Sequence, residues 1–211
     1  MDSRGTVHAA YLVTAGSTTK LFYTARPATA KAFTKPVAVG ASFAGSWGPP
    51  LLFDDPTHGR IVLVSGQNAS AEVLGPWVFA LPYGAAPSAW LAPQRAHTNH
   101  FGNVGAVAPD GSLYLLVNIA NLDVIKTAPY GSITAPGYTD WAELTPNVGS
   151  RGFISMATTA AGELLTYFQG GPGRMLHLGH DPTNGAADLK VDADGAYLTV
   201  ARSGAGRISL L

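Results

Sequence analysis

No cysteine occurs anywhere in the chain. Disulfides, thiolate nucleophiles and cysteine-ligated zinc are therefore excluded. Charge is scarce too: Asp, Glu, Lys and Arg make up 12% of the 211 residues, against roughly 25% in an ordinary soluble domain. No run of Lys or Arg occurs, and 13 basic side chains balance 13 acidic ones. A surface that tracks phosphates needs clustered positive charge, so neither nucleic acid nor an anionic membrane surface is expected as a partner. No apolar run approaches the roughly 18 residues of a membrane span, so no membrane insertion is expected. No segment keeps a 3.6-residue period over a helix-length window. The opening residues 1–5 lack the apolar core of a signal peptide. The expectation is a chain that stays where it is made, leaves by another route (in a virion, for example), or is a fragment; an extracellular or virion-associated location is the working assumption.

What the chain does have is apolar residues (46%), 25 glycines and 15 prolines, spread along its length. That composition suits many short strands joined by tight turns. Five segments place a glycine before a β-branched or aromatic apolar run. They start at Gly5, Gly59, Gly111, Gly162 and Gly195, at intervals of 54, 52, 51 and 33 residues. Propeller blades repeat at roughly 40–50 residues. A short apolar strand and a turn precede most of these runs, and Asp110-Gly111 and Asp194-Gly195 are strong hairpin signals because such turns need a positive φ. A third strand follows, ended by Pro27, Pro82, Pro129 or Pro182, as suits a residue without an N–H. A fourth begins with Phe33, Trp90 or Trp141 in three of the repeats.

The fold expected is therefore all-β: a β-propeller of about five four-stranded antiparallel blades, incomplete at the termini, forming one domain over 1–211. The blades are placed at 1–45, 46–98, 99–149, 150–185 and 186–211. The first unit lacks an innermost strand before Gly5, and the fourth interval is too short for a full fourth strand. A β-sandwich is the main rival, but it does not require similar units of this length.

The aromatic that opens strand four, behind a turn carrying glycine, resembles the Asp-box (BNR) repeat of sialidase-like propellers, which reads Ser-x-Asp-x-Gly-x-x-Trp. Trp90 and Trp141 stand where the box has its Trp, and Phe33 is a substitute. Gly84 and Gly131 lie in the corresponding turns at a different spacing, and the Ser and Asp are not in place. The resemblance implies a propeller fold. It does not carry over the sialidase catalytic apparatus, since no arginine lies in that family's Arg-Ile-Pro motif. Glycosidases need two carboxylates across a sugar. Here Asp54, Asp110, Glu163 and Asp194 fall mostly in the turns between strands one and two, which in propellers face away from the usual site.

Ligands of propellers sit at the mouth of the central channel, on the loops from strand four to strand one and from strand two to strand three. In this chain those loops are rich in amides, glycine and aromatics, residues that suit sugars: flat rings cover C–H faces and amides bond hydroxyls. The expected contacts are Trp47, His97, Asn99, His100, Phe101, Asn118, Asn121, Arg151 and Gln169. The spacing His97-x-x-His100 does not by itself build a metal site, because residues three apart on a strand point to opposite faces. No metal and no cofactor are expected. Three functions remain open on sequence: a non-catalytic propeller that binds a carbohydrate, cell-surface glycan or receptor; a glycoside hydrolase of sialidase-like or five-bladed type; and a structural subunit of a virion, tail fibre or homo-oligomeric assembly.

Overall fold

The computed structural model describes residues 1–43, 45–68, 73–119, 122–128, 142–143, 154–158, 164–170, 173–178, 188–190, 200–202 and 208–210. Side chains are described for 1–43, 45–68, 73–117, 156–158 and 164. No helix occurs among the described residues. Among the described residues, seventeen strands form five consecutive antiparallel sheets.

The first sheet holds β1 (Val7–Ala15), β2 (Thr18–Arg26) and β3 (Val37–Val39). The second holds β4 (Leu51–Asp55), β5 (Arg60–Gln67), β6 (Gly75–Pro82) and β7 (Gln94–Arg95). The third holds β8 (His100–Val107), β9 (Leu113–Ile119), β10 (Leu122–Ala128) and β11 (Ala142–Glu143). The fourth holds β12 (Ile154–Thr158), β13 (Leu164–Gly170), β14 (Gly173–Leu178) and β15 (Asp188–Lys190). The fifth pairs β16 (Val200–Arg202) with β17 (Ile208–Leu210). Every pairing joins strands adjacent in sequence, so each sheet is a meander. The first strands of neighbouring sheets touch: β1 meets β4, β4 meets β8, β8 meets β12, and β12 meets β16.

Strict alternation explains the packing. Successive strand residues point to opposite faces, and here both faces of the central sheets are buried. On β5, Ile61 and Leu63 face the first sheet with Leu21, Tyr23, Phe79 and Leu81. Val62 and Val64, between them in sequence, face the third sheet with Val78, Ala80, Leu113 and Leu115. On β9 the other face, Tyr114 and Leu116, packs on Met156 and Leu164 of the fourth sheet. Runs such as RIVLV and LYLLV are continuous and apolar for this reason. Each large side chain so buried contributes about 1.5–3 kcal/mol.

The turns bear out the glycine reading at three repeats. Gly5, Gly59 and Gly111 all have positive φ, of 81°, 61° and 85°. Behind Gly111, the Asp110 carboxylate accepts from Ser112 N at 2.9 Å. Two expectations change. The fourth sheet does have a fourth strand, β15, which pairs with β14 through Met175↔Lys190 to His177↔Asp188. Asp188–Lys190, which lies in the 186–211 segment expected to be the fifth blade, supplies it. The fourth strands of the first three sheets start after the aromatic rather than on it, and are only two or three residues long. Pro36 and Pro93 lie between the aromatic and the strand in the first two, and a proline cannot donate to the ladder.

Residues ahead of β1 clasp the first sheet to the second. Asp2 Oδ1 accepts from Arg4 N at 2.9 Å and Thr6 N at 2.8 Å, and Oδ2 accepts from His8 Nε2 at 3.0 Å. Ser3 N donates to Asp54 Oδ2 at 2.9 Å. Burial alone would raise the Asp2 carboxyl, but the bonds from His8, Thr6 and Arg4 and the charge of His8 outweigh it and hold the group below its ordinary 3.8. A carboxyl depressed in the folded state adds stability above its unfolded value and loses it as pH falls through the folded value. Asp2→Asn is therefore expected to lower the thermal midpoint at neutral pH, with the gap to wild type closing as pH drops below 3.8; a pH series of melting curves checks this.

Candidate ligand-binding site

Strands β1 and β5 run toward one end of the molecule and β2 and β6 run away from it. That end, here called upper, gathers the loops that follow β3 and β5 and the one that precedes β8. The loop after β3 opens on Gly40, at φ 61°. It returns through Phe43, whose N–H donates to Gly40 O at 3.1 Å. Trp47 N then donates to Thr19 O at 3.0 Å, and Ser46 Oγ accepts from Thr19 N at 3.1 Å. These bonds pin the loop over the start of β2. Trp47 also forms an isolated antiparallel bridge with Gln67 at the end of β5.

A cavity of about 270 Å³ lies in this corner. Its aromatic walls are Phe22, Phe43 and Trp47, and Thr18 and Lys20 supply its polar side chains. Among the described residues, Lys20 is the one charged residue that lines it. Phe43 and Trp47 meet edge to face, with centroids 5.4 Å apart at 78°, an arrangement favoured by the ring quadrupole. Trp47 is 5% exposed: its indole is part of the core between the first two sheets and only borders the cavity. Gly40 closes another side. A Cβ on it would come within 2.6 Å of Trp47 Cζ2, at a φ that L side chains rarely adopt. Gly40→Ala is expected to cost more than about 1 kcal/mol and to distort the cavity wall; urea denaturation measures the first effect.

Next to the cavity, Gln67 is fully buried and its Oε1 accepts from Asn68 N at 2.7 Å, while its amide N–H₂ has no hydrogen-bond partner among the described residues. Buried amide donors without acceptors are uncommon and mark sites that an external group can complete. On the neighbouring sheet, β8 is interrupted by an irregularity between Phe101 and Gly105. Asn103 sits in it at φ 55°, the one non-glycine residue with positive φ among the described residues. Irregular strands and left-handed asparagines concentrate where a protein re-aims side chains for function.

The expected contact residues divide accordingly. Trp47 lies in the corner described. His97 and Asn99 are half-buried after β7, with Asn99 N donating to His97 Nδ1 at 3.1 Å. His100 opens β8 directly opposite Asn118 on β9. Phe101 is 9% exposed and packs between the second and third sheets, so its ring belongs to the core. Gln169 stands on β13 opposite Arg174. The side chains of Asn118 and Gln169, and the whole of Asn121 and Arg151, lie outside the described residues. Lys20, Phe22, Phe43, Gln67 and Asn103 were missed. Phe43 stands in the loop after β3, Gln67 ends β5 and Asn103 interrupts β8, whereas Lys20 and Phe22 are on the strand β2. Their outward direction follows only from the register Phe22↔Ala38, with Leu21↔Val39 facing inward.

No protein-family model matches the sequence, and no curated protein matches it. Solved structures do. Regucalcin from Agrobacterium tumefaciens, a calcium-binding protein, aligns over 89% of this chain and 61% of its own, at TM-score 0.54 and 14% identity. The fold is that of a β-propeller. TolB from Acinetobacter baumannii aligns over 98% of this chain and 63% of its own, with 9% identity and a TM-score of 0.46. The chain thus spans about three fifths of the length of these two structures. At such identities the likeness concerns the propeller's architecture.

Proposed function

We propose that this propeller is a non-catalytic binding module for a carbohydrate, held in the upper corner between the first two sheets. We read its five sheets as five blades. The observation that carries the functional reading is the aromatic cavity itself. Phe22 and Phe43 offer flat apolar surface to the C–H face of a sugar ring, with the buried Trp47 backing Phe43, and Lys20 and Thr18 offer donors to its hydroxyls. A cavity of about 270 Å³ sits just under the roughly 300–1,000 Å³ of drug-sized pockets, which suits a single ring. The exposed Asn103 in the irregular strand β8 adds a polar side chain at the same end of the second and third sheets.

Binding without hydrolysis is favoured because none of the described residues that line the cavity is a carboxylate. Glycoside hydrolysis calls for a pair of them, and Asp2, Asp54, Asp55 and Asp110 stand at the other end of their sheets. The Asp-box resemblance is compatible with this reading: Trp90 packs edge to face on Tyr23 at 4.9 Å, a blade-to-blade core role. A glycan array probed with the labelled chain is expected to return a restricted set of ligands, with signals reduced at least tenfold in Lys20→Ala. An array without signal from folded protein, or one unchanged by Lys20→Ala, contradicts the proposal.

A further inference from the structure

At the lower end of the same two sheets, beneath the N-terminal clasp, lies a second cavity of about 170 Å³. Its wall carries a relay of buried polar groups. His8 Nδ1 is 2.6 Å from Tyr23 Oη, and His8 Nε2 is 3.0 Å from Asp2 Oδ2. The side chains of His8 and Asp2 are 10% and 3% exposed, and Tyr23 is 1% exposed. Burial, with the charge of Asp2, pushes the Tyr23 hydroxyl up to about 12, so at neutral pH it is a proton donor. The consistent pattern is Tyr23 O–H donating to Nδ1 and Nε2–H donating to Asp2. The floor is apolar: Ala25, Ile61, Leu81 and Pro87.

What this cavity lacks identifies what it would take. Both oxygens of Asp2 are occupied by three donors. Asp54 is occupied as well, by Ser3 N and by the Tyr83 hydroxyl. The carboxylates have little left to offer a cation. The guanidinium of Arg4, in contrast, lines the cavity and lies 5.5 Å from the centroid of the Tyr83 ring. Among the described residues no carboxylate pairs with it and no acceptor takes its N–H groups. A guanidinium has five donors in a fork that matches a carboxylate. The unused recognition capacity is thus one cation with donors, above an apolar floor.

We propose that this lower cavity is a second binding site, for a small organic monocarboxylate with Arg4 as its counter-ion. One carboxylate matches one guanidinium, whereas the second charge of a dianion would meet Asp2, Arg4 being the one Lys or Arg among the described residues that line the cavity. The volume equals that of roughly five or six waters at about 30 Å³ each, room for a short-chain acid. The relay serves as a rigid wall: each of its polar atoms has a partner, so a ligand need not reorganise it.

Isobutyrate is the probe, followed by the amide resonances of Ala25 and Ala85 in the isotopically labelled chain. Saturable shifts are expected at low salt, weakening as ionic strength rises. Isobutyramide, the same shape without the charge, is expected to bind at least tenfold more weakly, and so is isobutyrate to Arg4→Gln. Absence of saturable shifts, equal binding of acid and amide, or unchanged binding by a folded Arg4→Gln overturns the proposal. Should Arg4→Gln lose its native spectrum, the comparison of acid with amide on the wild-type chain decides alone.

Discussion

Replacing Phe79 by alanine is expected to lower the free energy of unfolding by about 3–5 kcal/mol, the range measured for large aromatic truncations in cores. Phe79 is 2% exposed and stands at the centre of the packing between the first two sheets. Its ring meets Trp47 at 5.6 Å and Trp90 at 6.3 Å, both edge to face. It also supports Gly40: a Cβ there would come 3.2 Å from Phe79 Cζ. Neither indole can move into the gap without breaking its own contacts, Trp47 because its backbone is bridged to Gln67 and Trp90 because it abuts Tyr23. The void therefore stays open, and its cost adds to the lost transfer energy. Urea titration is the check: the midpoint falls at a nearly constant slope. A loss under about 1 kcal/mol would mean that the two sheets do not share this core.

Removing Asp55 is expected to cost about as much, roughly 3–5 kcal/mol, by a different mechanism. Asp55 Oδ2 accepts from Arg60 Nε at 2.7 Å and from His58 Nδ1 at 2.6 Å. The residue is 1% exposed and Arg60 is 5% exposed. Asp55→Ala strands the Arg60 guanidinium in a place water does not reach. The penalty is the desolvation of that charge more than the worth of the pair itself. It follows that Asp55→Ala combined with Arg60→Met should be more stable than Asp55→Ala alone, and a double-mutant cycle measures the difference. Additive losses would contradict the buried-pair account.

High pH gives a smaller effect. Tyr23 is raised from 10.0 to about 12, and Tyr83 is raised further by burial and by its bond to Asp54. Both ionise earlier in the unfolded chain, so stability falls as pH climbs above 10. Spectrophotometric titration should show neither tyrosine ionising between pH 10 and 11 while the protein stays folded.

How much of this was legible in the sequence depends on which physical rule was in charge. Glycine before an apolar run marks a turn with positive φ, and Gly5, Gly59 and Gly111 obey it because the backbone leaves few other choices. Alternation on a strand set the two-faced burial of β5 and β9, so RIVLV and LYLLV could be read directly as strands buried on both faces. The fourth strands were less legible. An aromatic seemed to begin them, but Trp90 is used to fill a gap between blades, and hydrogen bonding starts only beyond the proline. Asp188–Lys190 fell within the segment expected to be the fifth blade because a short apolar strand before an Asp-Gly turn looks alike as first or fourth strand; pairing with β14 distinguishes them, and pairing is not local.

The site was legible in its loops and obscure in its strands. Trp47 was expected as a ligand contact from the loop after β3, and Phe43, Gly45 and Trp47 of that loop do line the cavity. Phe101 looked like a loop aromatic available to a ligand, yet the irregularity in β8 turns it into the core beneath Gly66, where a Cβ would come 3.2 Å from Phe101 Cβ. The lower cavity left no trace in the sequence. Asp2, His8, Tyr23 and Tyr83 come from three separate segments, and only the antiparallel register of β1 with β2, His8↔Ala25 to Val13↔Lys20, brings the first three together.

The most direct test of the central claim is a calorimetric titration of the chain with a glycan selected on the array, repeated with Phe22→Ala. Phe22 is half-buried, on the outward face of the first sheet, stacked on Tyr11 at 5.9 Å, so its loss should leave the fold intact. The account predicts saturable binding by the wild-type chain and affinity at least tenfold lower in the variant, with both proteins melting cooperatively. A wild-type chain that is folded and binds no glycan, or a Phe22→Ala chain that binds as tightly as the wild type, would contradict it.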